Sequence, residues 1–94
     1  MSSVVELLEQ IAERPGMYIG KRSAIRLHVF LQGWLLGRGD VDDSEVLRVF
    51  QQWVSNKYKI ETMHSWAEII TFFSEDDVDA FEKFYALFRE FRSL

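Results

Sequence analysis

Five times in 94 residues a serine or aspartate stands just ahead of apolar residues that recur three and four positions apart. An oxygen placed there accepts a backbone N–H that the first helical turn leaves unpaired, and a carboxylate three residues on can complete a reciprocal capping box. Ser3 with Glu6 opens Val4, Leu7, Leu8 and Ile11, and Ser23 opens Leu27, Phe30, Leu31, Trp34 and Leu35. Asp42 to Glu45 opens Val46, Leu47, Phe50, Trp53 and Val54, a run that ends around Tyr58. Ser65 with Glu68 opens Ile69, Ile70 and Phe73, and Ser74 with Asp77 opens Phe81, Phe84, Tyr85, Phe88 and Phe91. Residues 69–73 also have strand character, but no second strand-like run exists for them to pair with. The pattern predicts an all-α, compact single-domain bundle of about five helices over residues 1–94.

A chain this short buries only about 60 to 65% of the surface it exposes when unfolded, so its core must be dense. Eight Phe, three Trp and three Tyr supply that density, since each large ring can bury roughly 150 to 250 Å². The aromatic stripe of the last helix therefore reads as core, with its final turn open to a partner. Gly33 lies inside the second helix, where it is either tolerated or admits another backbone. With no cysteine, disulfides and thiolate metal sites are excluded, and the two histidines, His28 and His64, stand too far apart to suggest a metal centre. Neither a signal peptide nor a membrane-length apolar run is evident, which leads us to expect a cytoplasmic protein. The net charge of −4 favours a basic protein partner over nucleic acid.

Arg14-Pro15-Gly16-Met17-Tyr18-Ile19-Gly20 separates the first two helices. Proline disfavours helix in the residue before it, and glycine admits positive φ, so a turn is expected, with Gly16 at its bend and residues 17–19 folding back on the helices. It is not a phosphate-binding P-loop: three residues rather than four separate Gly16 from Gly20, and Arg22 follows Lys21 where Ser or Thr is needed. The segment resembles a loop near the start of the ATPase domains of DNA gyrase B and topoisomerase IV. That resemblance covers about 25 residues and implies a water-activating Glu and a magnesium-holding Asn on the following helix. Gln32 and Trp34 to Leu36 occupy that stretch instead, and an amide is no general base. Between Arg14 and Gly39 there are five basic residues and no acid. Arg14, Lys21 and Arg22 thus form a candidate anion site before a helix start, open to a phosphate, to a nucleotide or to carboxylates of the chain itself.

Acids crowd two other helix starts. Some answer the helix dipole, each contributing roughly 0.3 to 1 kcal/mol; Asp40, Asp42, Asp43, Asp76, Asp79 and Glu82 are the candidate contacts for a basic protein. The Arg14–Gly20 segment, Trp53-Val54, the Ser65–Ile70 run and the acidic-aromatic stretch 76–91 together resemble a family of small all-helical bacterial proteins similar to immunity proteins of contact-delivered toxin systems. The resemblance implies a non-enzymatic inhibitor without cofactor that binds and neutralises a cognate toxin, a basic nuclease in the leading case. The alternatives are an anion- or nucleotide-binding module using the basic loop, and a helical adaptor or homodimer using the aromatic helix.

Overall fold

Every expected helix forms, and a sixth, short one takes the place of the expected turn. The computed structural model describes residues 3–61 and 63–94. Its helices are α1 (Val4–Glu13), α2 (Pro15–Ile19), α3 (Ala24–Arg38), α4 (Val41–Tyr58), α5 (Trp66–Phe72) and α6 (Asp77–Arg92). Ser3 and Ser23 accept the Glu6 and Arg26 N–H groups, and Ser65 with Glu68 makes both halves of a capping box. Residues 66–72 are therefore helical despite their β-prone side chains.

Three expectations are corrected. Pro15 ends α1 but also begins α2 at its first position, where a missing N–H costs nothing. Gly16 is consequently helical, and the positive φ falls on Gly20 at 85° and on Gly39 at 64°. Asp40 rather than Asp42 caps α4, accepting the Asp43 N–H at 3.1 Å. Asp76 rather than Ser74 caps α6, accepting the Asp79 N–H at 2.8 Å. The Ser74 hydroxyl donates instead to the Ile70 carbonyl at 2.6 Å, satisfying an acceptor that the end of α5 would leave unpaired.

Helix α5 is the centrepiece, packed on α3, α4 and α6. Phe50 of α4 is fully buried, with ring centroids 5.7, 5.5, 5.3 and 5.4 Å from Trp66, Phe84, Phe88 and Phe91. The aromatic stripe of α6 thus points inward, including Phe91 in its last turn, which also meets Trp53 at 5.7 Å. The stripe is thereby spent on the core, and the outward face of α6 carries Glu82, Arg89 and Glu90. Tyr85 donates its hydroxyl proton to the Leu8 carbonyl at 2.7 Å and ties α6 to α1; burial raises its phenol well above the ordinary value. Gly33 meets no neighbour where a Cβ would stand, so it is tolerated and admits no close backbone. Among the described residues, no helix is long and apolar enough to cross a membrane.

Candidate functional site

Gly39 and Asp40 alone join α3 to α4, because Gly39 turns in the left-handed region and its N–H closes on the Leu35 carbonyl. From that corner a groove of about 690 Å³ runs between the two helices to His28 and Gln51. Buried Leu31, Leu47 and Trp66 form its floor, and Leu35, Leu36 and Val41 carry the apolar lining to the rim. Polar side chains make up half of the lining, and several are tied to neighbours. Arg48 donates to both Glu45 oxygens, at 2.9 and 2.6 Å, which holds the Glu45 carboxyl below its ordinary pKa.

Two groove residues position the elements around them. Gln51 accepts the Trp66 backbone N–H through Oε1 and donates through Nε2 to the His64 carbonyl at 3.0 Å, which anchors the start of α5 on α4. His28 stacks edge-on against Trp66 at 5.2 Å, with Nε2 3.2 Å from the Gln32 amide nitrogen, so the nitrogen facing that donor is the acceptor when the ring is neutral. Burial lowers the His28 pKa, opposed by the nearby Glu68 carboxylate. Such an apolar trough with fixed hydrogen-bonding groups suits the apolar face of a helix or loop from another protein.

The six candidate acids do not share one surface. Asp43 is 6% exposed and turned inward: its Oδ1 accepts the Val4 N–H at 3.1 Å, and Oδ2 lies 4.0 Å from Arg38 Nε. It caps α1 from another helix, which removes it from any contact surface. Asp40 and Asp76 are caps, as above. Asp79 accepts the Glu75 N–H at 2.9 Å, which lowers its pKa, and lies 3.5 Å from Lys83. Among the described residues, Asp42 and Glu82 are the exposed acids of the six that carry no such internal role, with Glu82 lining a shallow hollow together with Arg22 and Arg89.

The basic candidates are also altered by their neighbours. Lys21 reaches Asp77 at 3.3 Å, and Lys21, Arg22, Asp76 and Asp77 line one shallow dent. Within this cluster Lys21 is answered by a carboxylate of the chain itself, Asp77 at the start of α6. Arg14 does not line that dent. Because α3, at 15 residues, is about 22 Å long, the dent at its start and the Asp40 corner at its end are separate places. The α3/α4 groove was missed in the sequence, because Leu36, Val41, Gln51 and Trp66 come from three elements whose juxtaposition no spacing encodes. Comparison with protein-family models, curated proteins and solved structures finds no match.

Proposed function

We propose that this chain is a non-catalytic protein-binding module, and that its task is that of an immunity protein holding a basic toxin domain, a nuclease in the leading case. The α3/α4 groove is the observation that carries the reading: it is large for an 11.1 kDa chain, apolar at its floor, and edged by Asp40 and the Glu45–Arg48 pair. Apolar burial would supply affinity. Exposed acids such as Asp42 and Glu82, on a chain of net charge −4, would speed encounter with a positively charged partner.

The test is co-expression with the open reading frame beside this gene, where the reading places the toxin. The chain rescues growth, and Ser44→Trp, which fills the groove from its exposed rim, abolishes rescue while leaving the helical circular dichroism intact. Asp42→Lys with Glu82→Lys slows association and weakens its salt dependence. Full rescue by a folded Ser44→Trp variant would sink the groove assignment. Titration with Mg-ATP or phosphate gives no saturable heat, because Lys21 is already drawn to Asp77; micromolar binding there would favour an anion-binding module instead.

A further inference from the structure

Helix α3 carries apolar side chains on opposite faces, interrupted by Arg26, His28, Gln32 and Arg38, which is the pattern of a helix covered on more than one side. In the monomer it is not covered. Ala24, Leu27 and Leu31 face the core, while the opposite face holds Ile25 at 39% exposure, Val29 at 66% and Leu36 at 85%, with Val41 at 79% just beyond the helix end. The outward faces of α4 and α6 are mostly polar by contrast, carrying Asp42, Glu45, Arg48 and Gln52 beside Val49, and Glu82, Arg89 and Glu90 beside Val78. Ile25, Val29, Gln32 and Leu36 follow one another at intervals of four, three and four residues, the spacing of a two-helix seam.

We propose that this face of α3 is a homodimer seam, on which α3 of a second copy lies antiparallel about a two-fold axis. Charge selects both the occupant and its direction. Arg22 and Arg26 stand at the N-terminal end, and among the described residues neither has a carboxylate within 4.0 Å. The other end carries the negative pole of the helix and Asp40, while Arg38 of the last turn is turned to Asp43 and the Trp34 ring. A parallel pair would set the arginines of both copies against each other. An antiparallel pair with Ile25 opposite Leu36 also sets Val29 opposite Gln32 and Arg22 opposite Gly39, next to Asp40 of the second copy. The same patch is then self-complementary, as a two-fold interface requires. Gly33 has nothing within 4 Å of a Cβ position, so no side chain props the helices apart there. Gln32, Leu36 and Asp40 border the groove as well as the seam, whereas Ile25 and Val29 do not line it, so Val29→Glu tests the dimer without altering the groove.

Sedimentation equilibrium of the full chain across a wide concentration range tests the seam. The mass rises from 11.1 kDa toward twice that value, and Val29→Glu holds it at the monomer value with unchanged helical content. The absence of native cysteine allows a direct test of direction. Ile25→Cys and Leu36→Cys variants, mixed under mild oxidation, form the mixed disulfide in preference to either self-linked pair. A wild-type chain that stays monomeric throughout overturns the proposal and leaves the face to a different protein. So does a Val29→Glu variant that still dimerises, or preferential self-linking of Ile25→Cys.

Discussion

Asp43 shows how one residue can be read in two ways until its neighbours are known. In sequence it is one of several acids at a helix start; in the fold its carboxylate reaches 39 positions back to the Val4 N–H, the first of α1. Removing a buried acceptor leaves its donor unpaired, so Asp43→Ala should destabilise the protein by about 1 to 3 kcal/mol. Asp43→Asn, which keeps an acceptor, should lose less, and urea unfolding distinguishes the two. His28 makes the second prediction at this scale. Its pKa is lowered by burial, so as pH falls below the unfolded value of about 6.5 the unfolded chain takes up a proton that the folded chain resists. Its contribution is therefore fully present above that pH and declines through the acid side. Thermal melts from pH 7.5 to 5 should show a fall in Tm near pH 6 that is shallower in His28→Gln.

Among the elements, α2 departs most from the sequence reading, and its two glycines have opposite roles. Gly16 lies in the helix, with nothing within 4 Å of a Cβ position, whereas Gly20 has φ 85° and the Arg26 guanidinium 2.7 Å from where a Cβ would stand. Gly16→Ala should therefore stabilise by about 0.5 to 1 kcal/mol through helix propensity. Gly20→Ala should destabilise by roughly 1 to 2 kcal/mol, because an L side chain is strained there. A matched pair of denaturation curves checks both signs; equal effects would mean that α2 is not helical in solution. The proline allowed either a turn or a new helix, and local propensity does not choose between them. Burial of Ile19 and the bond from Arg26 Nη1 to the Ile19 carbonyl at 3.1 Å favour the helix, and both depend on α3 being in place.

For the whole molecule, cooperativity centres on Phe50, whose ring links α4, α5 and α6. Phe50→Ala should cost about 3 to 5 kcal/mol, a large share of the roughly 5 to 15 kcal/mol that holds a domain of this kind together. Near-UV circular dichroism should collapse in parallel with a steep loss of Tm. The class of fold was legible from residue to residue because caps and three-and-four spacing are local: Ser3, Ser23 and Ser65 act within three residues of themselves. So was the inward face of α6, since Phe81, Phe84 and Phe88 repeat at the helix period. What the acids and bases do was not legible, because Coulomb attraction and hydrogen bonding depend on distance in space. Lys21 finds Asp77 across 56 positions, and Asp43 disappears into the core. The sequence alone determined that helices form and which sides of most of them are apolar. Only the tertiary structure decided that α3 and α4 would enclose a groove, that the charged clusters would answer each other, and that an apolar face of α3 would remain uncovered, since each of these follows from which helix packs against which.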